Sequence, residues 1–154
     1  MRRKDRERSR DEALAFLDKC EYAVLATVNE DGSPYCIPLS VVRDNDLVYF
    51  HCAAEGQKVE NMRKCSEVCL TCVGNTRVQE KMFTTEYESA VVFGRAEQIL
   101  ADEEKKYALG LLCKKYTPNN MDAFDVAVEK SLHHTGVWKI KIDRITGKGN
   151  KSAG

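Results

Sequence analysis

The run Leu47-Val48-Tyr49-Phe50-His51-Cys52-Ala53-Ala54-Glu55-Gly56-Gln57-Lys58-Val59-Glu60-Asn61-Met62 changes character in its middle. Its first four residues are apolar and favour a strand. At its end Val59 and Met62 recur three apart, the spacing of a helix. The stretch therefore reads as strand, small-residue turn and helix. A helix start leaves several backbone N–H groups unpaired and carries a partial positive charge. Ala53, Ala54 and Gly56 are small enough to let a ligand approach that backbone, and Lys58 adds a full charge in the first turn. Together they form a seat for a phosphate group. His51 stands at the other end, where the remainder of a phosphorylated ligand would lie. The plain alternative for the same residues is an ordinary strand-to-helix connection with a surface lysine.

Upstream, residues 22–28 are β-rich, and Asn29-Glu30-Asp31-Gly32 is a hairpin signal. Residues 33–42 form the returning strand, 43–46 a second tight turn and 47–52 a third strand, so the spacing predicts an antiparallel meander. In it the second strand lies beside the one ending at His51. Pro38 interrupts that second strand and places it at an edge or bulge. Such an edge is either structural only or free to meet a flat ligand along Ile37, Pro38, Leu39 and Ser40. Further upstream, Ala13, Leu14, Phe16 and Leu17 mark a short helix over 11–19, preceded by a mostly basic arm.

Downstream, residues 66–74 read as strand, 75–80 as a loop, and 82–85 with 89–99 as strand, with Gly94 a bulge or point of close approach. Asp102 is expected to cap a helix that ends in Lys114-Lys115, and Thr117-Pro118 opens another. Met121, Phe124, Val128 and Leu132 recur at core spacing. Residues 136–142 alternate as a half-exposed last strand, and the polar tail from Gly147 is expected to be disordered. Short turns without regular strand–helix alternation predict a mainly β fold: an antiparallel barrel of six or more strands with peripheral helices.

The chain has 154 residues, 43% of them apolar, enough for one domain with its own core. Basic and acidic residues balance at 24 each, which points to neither nucleic acid nor an anionic membrane. The charged N-terminus lacks the apolar stretch of a signal peptide, and seven scattered cysteines do not suggest a disulfide framework. A soluble, cytoplasmic protein is expected. Cys65-x-x-x-Cys69-x-x-Cys72 has the spacing used by radical S-adenosylmethionine enzymes for an iron–sulfur cluster. Those enzymes are far larger, however, and Cys69 and Cys72 fall within a strand on opposite faces. Structural zinc is equally weak, because no histidine lies close in sequence.

Three segments, in order, carry a resemblance. They are the opening Met1-Arg2-Arg3-Lys4-Asp5-Arg6-Glu7, the run from Tyr49 to Lys58, and the ending Lys139-Ile140-Lys141-Ile142-Asp143-Arg144-Ile145-Thr146-Gly147-Lys148. They resemble the nitroimidazole-resistance (Nim) group of the pyridoxamine 5′-phosphate oxidase-like superfamily, across residues 1–148. The resemblance implies a split β-barrel that binds FMN, and a homodimer with two FMN sites at the subunit interface. It carries the flavin-ring contact to Cys36, Ile37, Pro38, Leu39, Ser40 and Val41. Further cofactor contacts fall to His51, Cys52, Ala53 and Ala54, the phosphate to Gly56 and Lys58, and a polar contact to Ser89. Gln57 stands where the oxidase branch has an arginine, so one phosphate-binding cation is missing. No extension follows that could form the oxidase's vitamin pocket. His51 matches the histidine linked to nitro-group reduction and is the catalytic candidate, acting on a small-molecule substrate. The activity implied is an FMN-dependent reductase; a flavin- or haem-binding module without catalysis is the alternative. No nicotinamide fingerprint is present.

Overall fold

A computed structural model describes residues 2–150. Its frame is one antiparallel sheet of eight strands. These are β1 (Glu7–Arg8), β2 (Ala23–Val28), β3 (Pro34–Leu39), β4 (Val42–Asp44), β5 (Leu47–Ala53), β6 (Glu67–Gln79), β7 (Thr84–Ile99) and β8 (Thr135–Asn150). The order is β3-β2-β6-β7-β8-β5-β4, with β1 added to β8. Four α-helices accompany it: α1 (Arg10–Lys19), α2 (Gln57–Lys64), α3 (Asp102–Tyr116) and α4 (Phe124–Ser131).

The two ends of the strand order, β3 and β4, are consecutive in the chain and separated by only Ser40 and Val41. Leu25, Phe50, Leu70, Val92 and Ile140, from strands across the sheet, nevertheless share one buried cluster with Val41 of the link. The sheet therefore curls around a single core and leaves a seam where β3 and β4 part. This is the expected split barrel. Helix α1 adds Ala13, Leu14 and Leu17 to the same core. It begins with a capping box, in which Ser9 and Glu12 satisfy each other's backbone N–H.

A second buried cluster lies outside the barrel. Tyr49 and Val137 meet Leu109 and Leu112 of α3, Val128 of α4 and Leu132 just after it. Strands β5 and β8 are thus covered on both faces, which is why residues 47–50 are apolar without alternation. Val128, Leu132 and Phe124 pack as their spacing predicts, whereas Met121 is only half-buried and outside the cluster.

Several boundaries differ from expectation. The segment 33–42 is not one strand in a meander: β3 pairs with β2, and β4 pairs with β5. Residues 75–79 are strand rather than loop, because Arg77 faces Glu86 and Val78 faces Thr85 in an extended hairpin. Cross-strand partners supply what the local sequence does not advertise. Asp102 is the first helical residue of α3, and Ala101 before it makes no side-chain cap. Gly147 to Asn150 continue β8 against β7 where the sequence predicts disorder, and the rest of that stretch, residues 151–154, lies outside the described residues. The register shifts between Phe93 and Gly94, where a Cβ would collide with the Lys141 carbonyl oxygen. Gly94 is therefore the close-approach glycine its position suggested.

Candidate functional site

The turn after β5 and the start of α2 take the form read from the sequence. Gly56 precedes the helix with φ +124°, a conformation that suits glycine, and open space surrounds the place a Cβ would occupy. No side chain caps this helix start. Lys58, in the first turn, makes no ion pair among the described residues, and Cys52 lies within its electrostatic reach. Burial pushes the Cys52 thiol upward, and the nearby Lys58 and Arg63 charges partly offset this. An uncapped helix start, an open glycine and an unpaired lysine fit a phosphate group.

A buried polar network aims α2. Asn61, only 2% exposed, donates to Thr27 Oγ1 at 3.0 Å and to Asn29 Oδ1 at 2.8 Å. Gln57 donates to Asn61 Oδ1 at 3.0 Å and to Asn29 Oδ1 at 3.3 Å, and Asn29 donates to Ser33 Oγ at 3.0 Å. The helix is thereby tied to the β2–β3 hairpin. Gln57 is committed to this tie, which gives a structural reason for a glutamine at that position. Sequence reading missed Asn61, although an asparagine on the apolar face beside Met62 was a visible signal.

The seam is the second part of the site. Val42 opposes Tyr49; two residues further in the same register, Ser40 would oppose His51. The strands part there, and Ser40 and His51 both line one cleft. On β3, Cys36 and Pro38 face outward and are exposed, while Ile37 and Leu39 pack against the core. The other edge of β3 carries no strand among the described residues. That edge, the end of β5 with His51, Cys52, Ala53 and Ala54, and the start of α2 are joined through the seam and the hairpin network.

Two expected contacts are placed differently. Val41 does not offer its backbone outward. Its N–H donates to Tyr116 Oη at 2.9 Å, and its carbonyl accepts from Tyr116 Oη and Lys115 Nζ, each at 2.8 Å. Leaving the ladder would orphan these buried groups, and α3 satisfies them instead. Ser89 lies far from the seam: it opposes Lys148 on β8, whereas His51 opposes Val137 on the same strand. At ~3.3 Å per residue, those eleven residues give a separation along β8 of about 36 Å. Ser89 Oγ sits 3.4 Å from the Lys148 carbonyl oxygen, as a donor to it. Cys69 and Cys72 lie within β6, and only Cys72 enters the barrel core. His133 and His134 are exposed. No helix among the described residues is long and apolar enough to cross a membrane.

Solved structures share this architecture. A protein from Bacteroides thetaiotaomicron described as a candidate 5-nitroimidazole antibiotic resistance protein is 23% identical, with TM-score 0.77, covering 93% of this chain and 88% of that one. The flavocytochrome Anf3 of Azotobacter vinelandii is 21% identical, with TM-score 0.85, over 99% of this chain and 72% of that one. The FAD and haem binding protein of Mycobacterium smegmatis is 22% identical, with TM-score 0.81, over 94% and 72% respectively. At such identities the likeness shows the fold alone. No curated protein matches the chain. A family model described as pyridoxamine 5′-phosphate oxidase matches residues 9–149, which takes in the barrel, the seam and the α2 turn together. The chain belongs to the pyridoxamine 5′-phosphate oxidase-like family of flavin-binding split barrels.

Proposed function

We propose that the protein is an FMN-dependent reductase of small molecules, nitroaromatic compounds among them, and that it works as a homodimer. The observation that carries this reading is the uncapped start of α2, with Gly56 open and Lys58 unpaired, beside the seam that exposes Ser40 and His51. FMN supplies two-electron chemistry when bound. Lys58 and the α2 backbone would hold its phosphate, and the free edge of β3 around Cys36, Ile37, Pro38 and Leu39 would lie against its ring. His51, exposed at the end of β5, would deliver a proton to the acceptor.

Support for a second copy comes from Ser89. Within one chain its place along β8 is eleven residues from that of His51, too far for one flavin ring, so its expected cofactor contact calls for a neighbouring subunit. The β6–β7 hairpin also exposes Val73, Val78, Met82 and Phe83, with Phe83 98% exposed. Such apolar side chains favour burial against another surface.

The absorbance spectrum of the purified protein tests the cofactor. Flavin bands that bleach with a chemical reductant and return with 2-nitroimidazole support the reductase. Lys58→Ala should lower flavin occupancy, because a charge-assisted phosphate contact contributes about 1.5–3 kcal/mol. Full occupancy in that variant would remove the phosphate seat. The second reading, a binding module without catalysis, is favoured by the two neighbours described as a flavocytochrome and as an FAD and haem binding protein. A haem Soret band, or a flavin inert to every acceptor, would support it.

A further inference from the structure

The cleft beside His51 is larger than a phosphate seat needs, and no described residue of α2 lines it. It measures about 350 Å³ and runs between β5, α3 and α4. That is at the small end of the usual range for ligand pockets, ~300–1,000 Å³, so it suits one or two rings rather than a whole nucleotide. Its walls are Leu109, Leu112, Phe124 and Val128, and no Asp, Glu, Lys or Arg among the described residues lines it.

The hydroxyls from its helical wall are already used. Thr117 and Ser131 donate to carbonyls one turn back, at 3.1 and 2.9 Å, and Thr135 donates to the Ser131 carbonyl at 2.9 Å. Tyr116 is engaged with Val41. Apart from the weak Cys113 thiol, the lining side chains whose donors are not already used are Ser40, His51 and Asn120, and Ser40 and His51 stand together where the strands part. An apolar chamber with polar groups at one side selects a molecule with an apolar body and a polar end. A charged ligand would be desolvated there without a partner, which is costly.

We infer that this cleft seats the ring of an uncharged aromatic acceptor of quinone type, with its oxygen held by His51 and Ser40. This names a substrate class for the reductase and rests on that reading for its catalytic meaning. The binding itself is measurable without turnover.

Calorimetric titration of the protein with menadione, and with a naphthoquinone sulfonate as its charged counterpart, tests the inference. Menadione should bind at least about tenfold more tightly than the sulfonate. Ala127→Phe, at an exposed position on the cleft wall, should weaken menadione at least about tenfold while flavin absorbance and melting temperature stay as in the parent. Equal affinity for the two quinones, or unaltered menadione binding in Ala127→Phe, overturns the assignment. So does loss of flavin in that variant, which would give the cleft to the cofactor. A shift of the variant between dimer and monomer overturns it as well, by giving the cleft to a second copy. Charge-selective menadione binding to protein that carries no flavin would instead sink the FMN reading and leave the cleft assignment standing.

Discussion

The phenol of Tyr116 bonds both backbone groups of Val41, accepting from its N–H at 2.9 Å and donating to its carbonyl at 2.8 Å. The two residues are 75 positions apart, and the contact closes the end of the seam that the strand ladder leaves open. Tyr116→Phe should destabilise the fold by about 1–2 kcal/mol, since the buried N–H loses this partner while the carbonyl keeps Lys115. Thermal melting checks this. Faster amide exchange confined to Val41 and its neighbours would locate the effect at the seam.

Asn61 holds α2 through two donated hydrogen bonds in a buried setting. In Asn61→Ala, Thr27 and Asn29 lose a donor, and a cost of about 1–3 kcal/mol is expected in denaturant unfolding. Flavin retention should fall as well, because the first turn of α2 is no longer aimed. A variant that loses stability yet keeps flavin would show that the cradle does not depend on this network.

Gly94 leaves no room for a methyl group, since a Cβ would meet the Lys141 carbonyl oxygen and the Ile140 side chain. Gly94→Ala should force the β7–β8 ladder apart at its bulge and destabilise by about 2 kcal/mol or more. Unchanged melting behaviour would mean that the bulge can shift its register.

His51 is exposed at the end of β5 and its side chain makes no hydrogen bond among the described residues, so removing that side chain should cost little stability. His51→Ala is expected to retain flavin and to lower acceptor reduction by about a hundredfold, the smaller end of general acid–base contributions. His51→Gln, which keeps a hydrogen-bond donor but cannot act as a general acid, should leave the rate low. Normal turnover in either variant would reduce the histidine to a strand-end residue.

The local signals were carried by residues whose partners lie nearby in the chain. Asp31-Gly32 makes its hairpin, with Gly32 at φ +82°, and the strand–turn–helix around Gly56 and Lys58 forms as its small residues and spacing predict. The barrel class, the apolar strand at 47–50 and the close approach at Gly94 were legible for the same reason. Each is a pattern of size and polarity within a few residues, and backbone sterics translate such patterns directly.

Long-range pairing decided the rest. Nothing in Ile37-Pro38-Leu39-Ser40-Val41-Val42 announces that the chain leaves one strand partner for another. That break depends on Tyr116 and Lys115, which reach Val41 from a helix formed much later in the chain. The strand at 75–79 exists because Glu86 and Thr85 stand opposite it, and the separation of Ser89 from His51 follows from the register of β8. The amino-acid order by itself determined which segments could be strand or helix and that a small-residue turn and a lysine open α2. Only the folded chain decided which edges stay unpaired, because a hydrogen-bond partner in a sheet is chosen by register across distant segments and not by its neighbours in sequence.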